Sequence, residues 1–564
     1  MRRLLAGGIL VAALLGAAAA GMLSTRAAPR EAELDLVLTG GRVVDGTGAP
    51  WFRADVGVRG DRIAAVGDLS RARAARRIDV RGQAVAPGFI DMLGQSELNL
   101  LIDNRAEAKI RQGITSEVTG EGGSVAPLDA AMTADYGPWV DKYHVKVDWT
   151  DFTGYFRRLR AARPAINLGT FVGAAQVREY VLGKGDVQPT PEQLRRMAAL
   201  VDQAMAQGAL GLSTSLIYSP GSYAKTPELV ALARAAARHG GIYASHIRDE
   251  GAREIEALEE AFTIGREAQI PVEIWHLKVA GRRNWGRMPE VVARIERARA
   301  EGLDVTADIY PYTARGNGLD NTVPQWAHDG GVPKMIERFH DPVLRARLLK
   351  EIREGGSGTE GWKSRPPSDI LVISVMNPEL RKWTGKRLSE VADQMGKPAE
   401  EALLDLVEAD HANVFVARFS MNEDDLQYAL RRPWVSLCLD AGASAVDGPL
   451  GADKHHPRAF GSMPRVLGRY ARDLKLFSVE EAVRKMTSLP ARRLRMHERG
   501  LLRLGLLADI TVFDPDRIRD VATFEDPNRY SEGVSYVLVN GRVVLDDGKM
   551  TAERPGRVLT LSPR

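Results

Sequence analysis

Apolar and polar positions alternate with period two at both ends of the chain and give way to longer, helix-spaced patterns between them. Near the start, LDLVLTGGRVVDG reads as two short strands around a Gly–Gly turn, and ADVGVRGDRIAAVGD repeats the device around Gly60–Asp61. Near the other end, VSYVLVNGRVVLDDG does the same around Asn540–Gly541, a strong hairpin signal between alternating apolar residues. The two ends share a pattern, VLTGGRVV at Val37–Val44 and VLVNGRVV at Val537–Val544. Neither end carries enough strands for a stable sheet alone. The pattern predicts one small β-sandwich made from both, residues 31–84 plus 500–564.

The middle, residues 85–499, reads as α/β. Short apolar strand candidates (AVAPGFIDM, AINLGTFVG, GALGLSTSL, GIYASHIRD, PVEIWHLKV, LDVTADIYPY, NVFVARF and VSLCLDAG) alternate with amphipathic runs such as PEQLRRMAALVDQAMAQG and PELVALARAAARHG, each ending in Gly as a helix C-terminus should. Roughly eight such strand-then-helix units predict a (β/α)8 TIM barrel. A doubly wound open sheet is the alternative, but no GxGxxG follows an early strand, so a dinucleotide fold has no local support. Residues 321–409 interrupt the alternation with charged helical runs and a Pro366–Pro367 loop. They read as a mainly helical insertion over one face of the barrel, placed as a lid would be, with ordinary barrel helices and long loops as the plainer reading.

At 564 residues, 44% hydrophobic and 27% charged, the chain has an ordinary globular balance for two or three units. The net charge of +4 and the lack of a basic stripe interleaved with aromatics exclude nucleic acid as a partner. Arg2 and Arg3 precede a nearly unbroken apolar run, Leu4–Leu23, and then small residues. This is the layout of a signal peptide over residues 1–30, so the expected location is periplasmic or extracellular. A run of about 20 residues is also long enough for an uncleaved membrane anchor. No other membrane contact is expected. The single cysteine, Cys438, cannot form an internal disulfide and reads as a small buried hydrophobe.

Active sites of such barrels lie at the C-terminal ends of the strands, so the polar residues that end strand candidates carry the chemistry. His246 ends GIYASH and His276 ends PVEIWH, 30 residues apart, about one strand–helix repeat. They are expected at one mouth, where neutral imidazoles suit zinc. Asp440 follows VSLCL and is the candidate general base, with Asp447 in reserve; capping the next helix is its plainer role. Lys278, two residues after His276, and Arg458, in the loop after Asp440, would suit a substrate carboxylate. Tyr310 and Tyr312 are candidate donors to a developing oxyanion.

With these residues in view, the chain resembles the N-acyl-D-amino-acid deacylases (D-aminoacylases) of the metal-dependent amidohydrolase superfamily. The resemblance rests on APGFID at Ala86–Asp91, QGITSEVTG at Gln112–Gly120 and GLSTSLIYSPGSYAKTPELVALA. It continues in SHIRDEG at Ser245–Gly251, HLKVAG at His276–Gly281, YPYTA at Tyr310–Ala314, HPRAFGSMPRVLGRYARDL at His456–Leu474 and the closing LADITVFDP. It implies zinc-assisted hydrolysis of the C–N amide of a small N-acyl amino acid. His246 and His276 would hold the metal, Asp440 would be the catalytic carboxylate, and Lys278, Tyr312 and Arg458 would bind substrate.

Two departures stand out. Family members carry an HxH pair after the PGFID strand, where this chain has Leu93 and Gln95. They also present a cysteine ligand after an Asn, where this chain has Glu121 followed by Gly122. Glu121 can replace that thiolate, since carboxylates bind zinc at similar distances. The expected set is then Glu121, His246 and His276 around one zinc per chain. The other readings are a cyclic-amide hydrolase of the hydantoinase or dihydroorotase kind, which would want two bridged metals, and a non-catalytic small-molecule binder on the same barrel.

Overall fold

A computed structural model describes residues 33–356 and 359–561. The N-terminal signal or anchor lies outside the described residues. Among the described residues, no helix is long and apolar enough to cross a membrane.

The two chain ends meet in one nine-stranded mixed sheet. Its first strand, Leu34–Val43, pairs antiparallel with Phe52–Arg59, and Ala84–Pro87 lies parallel on its other side. Ala84–Pro87 in turn pairs antiparallel with Ile510–Phe513 from the C-terminal end, which continues into Val534–Val539 and Arg542–Asp546. Leu36, Leu38, Val56, Val58 and Ile63 from one end share a core with Ile510, Val512 and Leu538 from the other. Asn540 and Gly541 both have left-handed φ, 47° and 79°, which a tight hairpin turn requires. A Cβ on Gly541 would fall 2.1 Å from the Gly60 carbonyl oxygen, so the turn at Asn540–Gly541 abuts the one at Gly60–Asp61. The Gly40–Gly41 pair makes no turn and lies inside the continuous strand Leu34–Val43.

Between these ends the strands run parallel. Phe89–Asp91, Ile114–Thr119 and Asn167–Thr170 form one sheet. Val172–Gly173, Gly211–Ser215, Ile242–His246, Val272–Ile274, Val305–Ile309 and Val435–Leu437 form the second. Phe171 alone separates the sheets at one seam, and at the other Met92 N donates to Leu437 O at 3.2 Å while Gly94 bridges Ala441. Most of these strands are buried along their whole length, which explains their unbroken apolar character. Helices such as Pro191–Ala206 pack outside them. That one opens on a Thr190–Gln193 capping box with Pro at the first turn and buries Met197, Val201, Ala204 and Met205 at helical spacing.

NVFVARF departs from its expected place among the parallel strands. Phe415–Arg418 instead joins Arg315–Gly318 and Ile370–Ser374 in a separate antiparallel sheet. The helices Val332–His340, Pro342–Glu354, Leu388–Met395 and Ala399–Ala409 cover a second core that contains Leu319, Phe339, Val372, Leu403 and Val416. Val416 belongs to that core, and a period-two pattern does not specify which neighbour a strand pairs with.

Candidate metal centre

Three strand ends converge. His246 is the last residue of Ile242–His246, His276 lies two residues beyond Val272–Ile274, and Glu121 lies two beyond Ile114–Thr119. His276 leaves its strand with a left-handed φ of 38°, held by a 2.8 Å hydrogen bond from its N–H to Asp308 Oδ1. His246 Nδ1 lies 2.7 Å and His276 Nε2 3.0 Å from the same oxygen, Glu121 Oε1. One donor atom from each residue lies within 4.8 Å of the others, a spacing that one cation can span. Two imidazoles and a carboxylate are a donor set suited to zinc, with a further position left for substrate or water. Burial alone would raise the Glu121 carboxyl, but the two imidazole hydrogen bonds outweigh it and hold the group well below the usual carboxylate range. His276 moves the other way, to about 9, since the Glu121 and Glu250 carboxylates outweigh burial and the Lys278 ammonium.

Behind the imidazoles sits Glu250. Its Oε1 lies 3.4 Å from His246 Nε2 and 3.3 Å from His276 Nδ1, the ring nitrogens turned away from Glu121. Lys278 Nζ bonds to that oxygen and lies 2.7 Å from His276 Nδ1. Arg315 Nη1 is 3.4 Å from the other oxygen. Lys278 therefore reaches the centre from behind, through Glu250 and His276.

In front is a cavity of about 420 Å³, lined by Gln95, Glu121, Tyr218, Asp440 and Arg458 among others. Arg458 Nη1 pairs with Asp440 Oδ2 at 2.9 Å, and Gln95 Nε2 donates to Glu121 Oε2 at 2.7 Å. Asp440 has a left-handed φ of 51°, uncommon for a residue with a side chain. Three contacts to the first parallel strand and its surroundings hold it there: Asp440 N to Leu93 O at 2.7 Å, Leu439 N to Asp91 Oδ1 at 2.8 Å, and Lys109 Nζ to Ala441 O at 2.7 Å. Asp440 caps no helix, since the next one, Arg458–Arg465, begins after Pro457. Asp447 pairs with Arg105 on the outside.

The structure thus gathers Glu121, His246, His276, Asp440 and Arg458, with Lys278 adjacent. Tyr312 is not brought to the cavity: it is buried, its hydroxyl donates to Pro457 O at 3.4 Å, and its ring packs on His456. Tyr310 lies under the site, with Lys278 Nζ and the Arg458 guanidinium over its ring at 5.5 and 4.8 Å. Glu250 and Tyr218 escaped the sequence reading, which named Gln95 only as a departure from an expected histidine and gave it no role. Of the two, Glu250 alone left a signal, as a carboxylate four residues after His246.

A family model described as the amidohydrolase family matches residues 76–545. D-aminoacylase from Alcaligenes xylosoxydans xylosoxydans is 39% identical over 526 residues, covering 93% of this chain and 97% of the relative. A solved structure of a D-aminoacylase, described by its binuclear metal centre with one-metal activation and second-metal attenuation, has a TM-score of 0.77 at 38% identity and covers 93% of this chain and 100% of its own. N-acyl-D-glutamate deacylase from Bordetella bronchiseptica, complexed with zinc and a phosphonate inhibitor, gives 0.79 at 34% identity, covering 94% and 100%. With the match spanning most of its length, this chain belongs to the amidohydrolase family.

Proposed function

We propose that this chain hydrolyses the amide of N-acyl-D-amino acids around a single zinc ion held by Glu121, His246 and His276. The observation that carries the reading is the meeting of two imidazole nitrogens and one carboxylate oxygen within 4.8 Å, beside Asp440 on one cavity. The seam contacts at Met92–Leu437 and Gly94–Ala441 support the two parallel sheets being arcs of one (β/α)8 barrel. The nine-stranded sheet, to which both chain ends contribute, is then the small β-domain beside it, and the helical core around residues 321–409, with the flanking strands Arg315–Gly318 and Phe415–Arg418, is the insertion. Arg2, Arg3 and the Leu4–Leu23 run support export.

A bound zinc ion supplies Lewis acidity to the amide carbonyl and makes water a better nucleophile at neutral pH. Asp440 lines the cavity and takes the proton of the attacking water, then returns it to the leaving nitrogen. Arg458 holds Asp440 through one carboxylate oxygen, and its Nε–H, buried without a hydrogen-bond partner, is free for the substrate carboxylate. Tyr218 takes the role expected of Tyr312. Its ring stands edge-on to His246 at 5.2 Å, and burial raises its phenol well above the usual range, so it keeps the proton it donates to the oxyanion.

The test is to purify the mature chain, count its metal, and assay N-acetyl-D- and N-acetyl-L-amino acids with wild type and Asp440→Asn. The expected result is one zinc per chain and D-selective hydrolysis that Asp440→Asn abolishes while keeping the metal. Hydrolysis of a cyclic amide in place of the N-acetyl amino acids would support a cyclic-amide hydrolase, and a chain without metal or activity a binding protein.

A further inference from the structure

Leu93 and Gln95, which follow the strand Phe89–Asp91, are placed in specific ways. Leu93 is fully buried in an apolar cluster with Ile90, Met92, Trp275 and Cys438, and gives only its carbonyl oxygen to Asp440. Gln95 turns its amide toward the centre. Its Nε2 donates to Glu121 Oε2 at 2.7 Å and lies 3.4 Å from Asp440 Oδ1. One amide nitrogen thus stands between two carboxylates, the place a bridging cation takes in a two-metal site. It also divides the Glu121 carboxylate: Oε1 faces the imidazoles, and Oε2 is committed to Gln95.

The ground beneath is closed as well. Lys109 Nζ, fully buried, lies 2.6 Å from Asp91 Oδ2 and 3.4 Å from Glu117 Oε2. Glu117 fills the space under the chain between Leu93 and Gln95, where a Cβ on Gly94 would fall 1.7 Å from Glu117 Oε1. An ammonium therefore already serves the acids under this turn, and Asp91 and Glu117 are committed to it rather than to a cation.

We propose that Gln95 is a positioning residue that stands in for a second cation. Its amide keeps Glu121 a one-oxygen ligand and links it to Asp440, so the centre works with one metal by construction. This rests on the reading above that Glu121, His246 and His276 hold that metal.

The probe is Co(II), whose visible absorption weakens as coordination rises from four to five. Gln95→Leu removes the donor and frees Glu121 Oε2 to bind the cation. The expected outcome is one Co(II) per chain with a weakened visible band, and kcat lower by roughly 10–100-fold at nearly unchanged KM. Gln95→Glu, of the same size with an oxygen in place of the donor nitrogen, carries the test if the leucine variant does not fold, and is expected to take up a second equivalent of Co(II). A Gln95→Leu spectrum identical to wild type, or a rise in KM with kcat retained, would overturn the proposal, as would a Gln95→Glu variant that stops at one equivalent. Wild type that takes up no Co(II) removes the metal reading itself; wild type that takes it up while the variants behave identically removes the role of Gln95 alone.

Discussion

Arg458 Nη1 lies 2.9 Å from Asp440 Oδ2, and Arg458 is 2% exposed. Gln95 approaches the other oxygen of the same carboxylate, so Asp440 is held from both sides in front of the metal ligands. A lysine at 458 keeps the charge but cannot brace Asp440 and offer a second donor to substrate at once. Arg458→Lys is expected to lower kcat/KM on the order of 10- to 100-fold, the worth of a charge-assisted hydrogen bond of about 1.5–3 kcal/mol. Steady-state kinetics at fixed metal occupancy check this, and a variant as active as wild type would take Arg458 out of the site.

Glu250 faces the rear nitrogens of both imidazoles at 3.3 and 3.4 Å. A carboxylate there fixes ring orientation and makes the front nitrogens better donors to a cation. Glu250→Gln keeps the shape and removes the charge, and is expected to weaken zinc binding by roughly 10–100-fold. Competition against a chelator measures it. Equal affinity in variant and wild type would reduce Glu250 to a counter-ion for Lys278.

Lys109, Asp91 and Glu117 have no exposed side-chain surface. Removing the ammonium leaves two carboxylates buried without a counter-ion, so Lys109→Met is expected to destabilise the fold by about 3–5 kcal/mol. Adding Glu117→Gln should recover part of the loss, since burial already pushes the Glu117 carboxyl up to about 7 and its charge is dispensable. Urea unfolding of the three proteins decides. A loss under about 1 kcal/mol in Lys109→Met would mean that the cluster holds nothing in place.

Much of this was legible in the chain because strand ends are legible. His246 and Asp440 follow buried apolar runs directly, and the shared pattern at Val37–Val44 and Val537–Val544, with too few strands at either end for a sheet of its own, announced that the two ends meet. Periodicity failed where the strand had already stopped. Val305–Ile309 ends before Tyr310, so strand alternation says nothing about where the residues beyond it point, and Tyr312 turned toward Pro457. Lys278 likewise follows the left-handed turn at His276 and arrives behind the ring. Gln95 was visible as a departure from the HxH pair, but its role stayed hidden for another reason: it exists only where Glu121 and Asp440, from distant strands, both come within reach of one amide.

Lys485 gives a test of pH dependence away from the metal. Its side chain is 1% exposed on Val479–Met486, and its Nζ donates to Arg432 O and, at 3.0 Å, to Val435 O. Glu481 on the same helix lies 3.9 Å away, while Arg484 and Arg432 bring like charge. Burial dominates and lowers the ammonium from 10.5 to about 7. The folded chain therefore binds this proton less tightly than the unfolded chain. Below about pH 7 both states are protonated and the burial penalty is fully present. Between about 7 and 10.5 the folded state sheds the proton first, and the penalty fades by up to about 1.4 kcal/mol per pH unit. Lys485→Met has no such penalty, so it is expected to be more stable than wild type near pH 6, with the gap closing as pH approaches about 9.5. Paired urea titrations across that range measure the gap, and a difference that stays constant or widens would show that the two carbonyls keep Lys485 charged in the folded state.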